Sequence, residues 1–157
     1  MSLPATGHYL ITSTKDHRLI GRKTHEELSV SPKGIFHLPS DTSRAFEGSG
    51  WIVEKESPEG NTYKLRSRYA PTGVERGSDH KVVAILLSEP ELEHWILEPT
   101  DQAHVYILKT HDGRLGWTIE NPDAEDSPIK LTDHPDKFEF KPSIDLPIFD
   151  TFHNQSR

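Results

Sequence analysis

Trp95-Ile-Leu-Glu98 and, eight residues after it, Tyr106-Ile-Leu-Lys-Thr110 decide the fold, because both stretches recur at a fixed interval. The first pattern is an aromatic residue, any residue, an apolar residue and a charge. It stands also at Trp51-Ile-Val-Glu54 and Phe138-Glu-Phe-Lys141, so the leading aromatics are 44 and 43 residues apart. The second is a Tyr with an aliphatic residue two positions on and a closing hydroxyl. It stands also at Tyr9-Leu-Ile-Thr-Ser13 and Tyr63-Lys-Leu-Arg-Ser67, and Tyr63 to Tyr106 is again 43. Self-similarity at such a period marks one supersecondary unit copied along the chain. From Tyr9 to Tyr63 the interval is 54, so the first repeat carries about one loop of extra chain, assigned to the polar, glycine-rich segment from Ser40 to Gly50.

Two further apolar positions complete each unit. Eleven residues after each Tyr come Ile20, Val74 and Trp117, each beside a glycine, and a third run follows at Ile35-Phe-His-Leu38, Val82-Val-Ala-Ile-Leu-Leu87 and Ile129-Lys-Leu131. Period-two alternation with aromatic and β-branched residues reads as strand, and twelve prolines and ten glycines spread along the chain punctuate it into short segments. Three repeats of four strands predict twelve strands in an all-β fold. A propeller also uses four strands per blade but needs about four blades to close. The closed solution for three units is a β-trefoil, a six-stranded barrel capped by three hairpins, which leaves no exposed sheet edge. The expected organisation is one domain over residues 1–157, with repeats at about 7–55, 61–99 and 104–142. A tail at 143–157 is expected to pack back across the barrel base. Trp51 and Trp95 are expected in the core, since alternate strand positions face inward. Trp117, beside a glycine where the other repeats have Ile or Val, is expected to be partly exposed.

Composition narrows the function. The 157 residues hold 18 Lys+Arg against 25 Asp+Glu, a net charge of −7, with no basic block. Nucleic acid and anionic membranes are therefore not expected as partners, because both need clustered positive charge. Cysteine is absent, which removes disulfides, thiolate nucleophiles and Cys-based zinc sites. No basic segment with a following apolar run marks a secretory signal, and no apolar stretch approaches the ~20 residues of a membrane span. The expectation is a cytoplasmic protein of a reducing compartment, in which the sequon Asn154-Gln-Ser156 stays unmodified. Ten histidines are scattered singly, mostly to surface loops by expectation, without metal spacing. The carboxylates between Glu120 and Asp126 lack the register of a calcium loop. No nucleophile elbow, phosphate loop or zinc-protease motif occurs. Neither catalysis nor a cofactor is expected.

One segment stands apart. Arg22-Lys-Thr-His-Glu-Glu-Leu-Ser-Val-Ser-Pro-Lys-Gly34 is long for a hairpin connection, polar, and ends in Pro-Lys-Gly, so it should project from the barrel. Gly21-Arg22, the acidic pair Glu26-Glu27, Leu28-Ser29 and Pro32-Lys33-Gly34 resemble the mushroom β-trefoil serine protease inhibitors. The resemblance continues through the Trp51 and Trp95 strands and the Tyr106 strand, over roughly residues 7–142. It implies a tight-binding, substrate-like inhibitor, acting as a monomer on a trypsin-like serine protease, with a role such as defence. The implied protease-binding loop comprises Arg22, Lys23, Thr24, His25, Glu26, Glu27 and Leu28. Lys23, and after it Arg22, would pair with the acidic base of a trypsin-type pocket. The two glutamates would either contact the protease rim or buttress the loop. Alternative inhibitory positions are Arg76, Lys130 and Lys137. Two other functions fit the same fold. One is a carbohydrate-binding lectin, although the Gln-x-Trp triplet of ricin-type repeats is missing. The other is a cysteine protease inhibitor of the related mushroom type, acting through Thr14-Lys-Asp-His-Arg18 and the connection between the third and fourth strands of the first repeat.

Overall fold

A ring of six antiparallel strands forms the body of the protein. The computed structural model describes residues 2–41, 50–75, 80–87 and 92–143. Its strands are β1 (Gly7–Ser13), β2 (Ile20–Gly21), β3 (Lys33–Gly34), β4 (Phe36–His37), β5 (Gly50–Lys55), β6 (Thr62–Ser67), β7 (Ala70–Val74), β8 (Val82–Ala84), β9 (Trp95–Pro99), β10 (Val105–Lys109), β11 (Gly116–Ile119), β12 (Ser127–Thr132) and β13 (Phe138–Pro142). Pairing runs β1 to β5, β5 to β6, β6 to β9, β9 to β10, β10 to β13 and β13 back to β1, so the barrel closes. The remaining strands form three hairpins, β2 with β4, β7 with β8 and β11 with β12. The hairpins are tied to one another by β4 with β12, β3 with β8 and the bridge from Lys81 to Lys130. This is the β-trefoil, one third from each repeat.

The recurring sequence signatures are its core. Each barrel strand turns an aromatic residue and an apolar residue two positions on into the interior: Tyr9 and Ile11, Trp51 and Val53, Tyr63 and Leu65, Trp95 and Leu97, Tyr106 and Leu108, Phe138 and Phe140, all buried. The three tyrosine hydroxyls reach one end of the barrel and donate to the carbonyls of Ala5, Pro4 and Ser2. Residues 2–5 close that end, with Leu3 packed on the core.

The expected exposure of Trp117 needs correction. Trp117 is 0% exposed, not partly open. Its ring lies 5.8 Å from Trp51, 5.4 Å from Trp95 and 6.0 Å from Phe138, the three equivalent aromatics, so it fills the pseudo-threefold axis, where only one large ring fits. The neighbouring Gly116 is required by close packing, since a Cβ there would lie 2.7 Å from Pro135 and 2.8 Å from the Leu108 carbonyl. The twelve expected strands appear among the described residues as thirteen segments, because the third strand of the first repeat is interrupted at Ile35. The Ile35 amide donates to Val82 in the second repeat, while its carbonyl accepts from Ile129 in the third. The chain changes neighbours there and cannot continue a single ladder. His37 also departs from the surface expectation for histidines. It is buried, with Nε2 3.0 Å from Asp16. Most of the 143–157 tail lies outside the described residues.

Candidate functional site

The β2–β3 loop is held at both ends by strands. On one side Gly21 pairs with Phe36, and on the other Lys33 and Gly34 pair with Ala84 and Val83. Between them the base of the loop is cross-linked to the β6–β7 turn. The Arg22 guanidinium donates from Nε to Glu26 Oε2 at 3.0 Å, from Nη2 to Glu26 Oε1 at 2.7 Å and from Nη1 to the Ser67 carbonyl at 3.3 Å. This planar fork on a carboxylate is the strong, orientation-specific form of ion pair. Arg68 adds a second cation 3.6 Å from Glu26 and donates to the Lys23 carbonyl. Arg68 and Tyr69 both have positive φ, 51° and 71°, the geometry of a two-residue hairpin turn whose twist matches its strands. The turn places Arg68 against the loop.

The tip is bonded to itself. Glu27 accepts from the Ser29 amide at 2.9 Å, the Ser29 hydroxyl at 2.7 Å and the Ser31 hydroxyl at 3.1 Å. The Lys33 ammonium, 6% exposed as a side chain, donates to the Glu27 carboxylate at 2.6 Å and to its carbonyl at 2.9 Å. The Lys33 bond, then those from Ser29, holds the Glu27 carboxyl down at about 2, so Glu27 is a carboxylate at neutral pH. Its members Glu27, Ser29, Ser31 and Lys33 alternate with Leu28, Val30 and Pro32. Polar positions bond to one another, while Leu28 is 99% and Val30 57% exposed. A shallow hollow of about 230 Å³ lies behind the tip, bounded among others by Lys23, Glu27 and Phe36.

The sequence-predicted residues divide accordingly. Arg22 is buried in its ion pair, so it is a brace and not the projecting cation expected from the sequence. Lys23 lies with its ammonium 4.5 Å from the centre of the Phe36 ring, a cation–π contact along the loop base. Thr24 and His25 are exposed on the rising arm. Glu26 and Glu27 buttress the loop, and Leu28 is its most exposed side chain. Lys33, Ser29, Ser31 and Val30 were missed. The alternation of polar and apolar residues through 27–33 was the signal that could have found them. Of the alternative positions, Lys130 belongs to β12, with its ammonium 3.5 Å from Glu120. Lys137 is exposed between β12 and β13. Arg76 lies outside the described residues. In the 14–18 segment the Arg18 guanidinium donates to the carbonyls of Leu38, His37, Pro122 and Ala124, and Asp16 pairs with His37. Its strongest polar groups therefore serve the fold.

Comparisons with known proteins agree with this fold. The sequence model of the family described as Peptidase inhibitor I66 matches residues 1–139. A proteinase inhibitor from Coprinopsis cinerea superposes with a TM-score of 0.73 at 26% identity, covering 89% of this chain and 99% of that one. The Macrolepiota procera ricin B-like lectin, solved with lactose, gives a TM-score of 0.68 at 13% identity over 91% of this chain and all of its own. The designed threefold-symmetric protein ThreeFoil gives 0.65 at 13% identity over 87% and 99%. At that identity the last two speak for the β-trefoil alone. No curated protein sequence matches the chain.

Proposed function

The chain belongs to the peptidase inhibitor I66 family, and from that premise we propose that it inhibits a serine protease, one to one, by seating the β2–β3 loop in the substrate cleft. Membership makes it a protease inhibitor, not an enzyme, with a protease as its partner. The observation that carries the loop assignment is the self-bonded tip. Glu27 and Lys33 order the segment before any partner arrives, while its apolar side chains remain in solvent. A protease reads an extended segment, and one already ordered loses little conformational freedom on binding. A trypsin-like target met by Lys23 or Arg22 finds no support in side chains whose charged ends are already engaged. A cation-specific enzyme would have to be met elsewhere, for instance at Lys137.

The test is residual trypsin, chymotrypsin and papain activity against increasing protein. It is run beside a triple variant, Leu28→Gly with Ser29→Gly and Val30→Gly, whose folding is checked by thermal melting. Stoichiometric inhibition of a serine protease that the folded variant loses is the expected result. Inhibition that survives the variant moves the site to another loop, and inhibition of papain alone overturns the serine protease reading.

A further inference from the structure

The geometry points to Leu28 as the side chain that enters the primary pocket of the protease, and hence to a target of chymotrypsin type, with a deep apolar pocket. This rests on the β2–β3 loop being the element that meets the protease. Three observations lead to it. Leu28 is the most exposed large apolar side chain among the described residues, at 99%, well above Leu87 at 58% and Val30 at 57%. An apolar side chain held wholly in water is the group that gains most when a pocket encloses it.

The two peptide units flanking Leu28 are also the ones the tip network fixes. Lys33 holds the Glu27 carbonyl, and the Glu27 carboxylate holds the Ser29 amide and hydroxyl. Leu28 is thus presented on ordered backbone while its side chain touches nothing that must be displaced. Val30, two positions on, is exposed as well, which offers the enzyme a second apolar contact beyond the bond it would cleave.

The third observation concerns charge. An acidic pocket floor requires a cation, and each Lys and Arg of the loop is engaged elsewhere: Arg22 with Glu26, Lys23 over Phe36, Lys33 with Glu27. Moving Arg22 or Lys33 into a pocket would dismantle the brace or the network that shapes the loop, and moving Lys23 would forfeit its contact with the Phe36 ring. Leu28 can enter at no such cost.

Inhibition constants for chymotrypsin and trypsin are measured with the wild type, Leu28→Ala, Leu28→Lys and the Leu28/Ser29/Val30 triple glycine variant, each shown by its melting temperature to be folded. The wild type is expected to prefer chymotrypsin. Leu28→Ala should weaken that binding by roughly 10- to 100-fold, as expected for a buried leucine side chain, and Leu28→Lys should transfer inhibition from chymotrypsin to trypsin. A wild type that prefers trypsin, or a Leu28→Ala variant as potent as wild type while the triple variant is inactive, overturns the assignment of Leu28 and leaves the loop in place. Full potency in the triple variant removes the loop itself.

Discussion

Arg22→Met separates a brace from a pocket residue. Methionine keeps the apolar stem but removes the guanidinium, which leaves Glu26, its side chain 13% exposed, with only Arg68 at 3.6 Å, and leaves the Ser67 carbonyl without its donor. Removing one partner of a buried ion pair costs about 3–5 kcal/mol. Arg68 offsets part of this and Glu26 retains some water, so ~2–3 kcal/mol is expected, a substantial share of the ~5–15 kcal/mol that a domain has in total. For a chain of this length each kcal/mol moves the melting temperature by roughly 2–4 °C, so a fall of roughly 4–12 °C should be seen by calorimetry. Urea titration gives the free energy independently. A cycle with Glu26→Gln should return a coupling of about 1–3 kcal/mol, as contacting residues do. Protease inhibition by the folded variant should weaken far less than in Leu28→Ala. If Arg22 instead entered the enzyme's pocket, the variant would melt like wild type and bind no protease, and that outcome would refute the reasoning.

Other outcomes follow from the same geometry. Trp117→Ala should cost about 3–5 kcal/mol, as for buried aromatics in general. Trp117→Phe should cost less than Trp51→Phe in chemical denaturation, because the Trp117 indole N–H has no partner whereas that of Trp51 donates to the Ile20 carbonyl at 2.8 Å. Stability should fall on acidification in two steps. Burial holds His37 below its ordinary value of 6.5 despite Asp16, so the unfolded chain takes up the proton first and stability declines as pH drops from 6.5 towards the lower folded value. Burial would raise Asp16, but bonds from the Arg18 amide and His37 outweigh it and hold it below 3.8, so a further loss begins beneath that pH. Denaturation curves from pH 3 to 8 check both steps, and His37→Gln should flatten the first. Glu27→Gln should weaken protease binding by up to about tenfold, through a looser tip, with a smaller change in melting temperature. Because the Glu27 carboxyl is held at about 2 against 4.5 unfolded, the network's contribution is complete above 4.5 and declines as pH falls from there through 2, so Glu27 should give wild-type inhibition no pH dependence in the neutral range.

The barrel was legible because its residues repeat. Each Tyr and Trp signature marks an inward pair on a barrel strand, and period-two alternation needs no knowledge of which strands meet. What failed depended on the meeting of repeats. Trp117 looks open beside Gly116 in its own strand, yet the axis it fills is walled by Trp51, Trp95 and Phe138 from all three units. The break at Ile35 likewise arises from partners in the second and third repeats, 47 and 94 residues away.

The segment from Arg22 to Gly34 was legible as a loop, but the pairing of its cations was not, for a reason that generalises. Charge is visible in sequence whereas its pairing is not, so the cations Arg22 and Lys23 drew the functional assignment. In the fold a cation beside a barrel rim finds a carboxylate or a ring before it finds a partner protein, as Arg22 finds Glu26 and Lys23 finds Phe36. A leucine flanked by bonded polar residues has no such internal outlet. Glu27, Ser29, Ser31 and Lys33 satisfy one another, and the alternation that lets them do so leaves Leu28 and Val30 in water. For the proposed docking of this loop on a protease, the side chains the fold leaves unused are those available, and at its tip they are the apolar Leu28 and Val30.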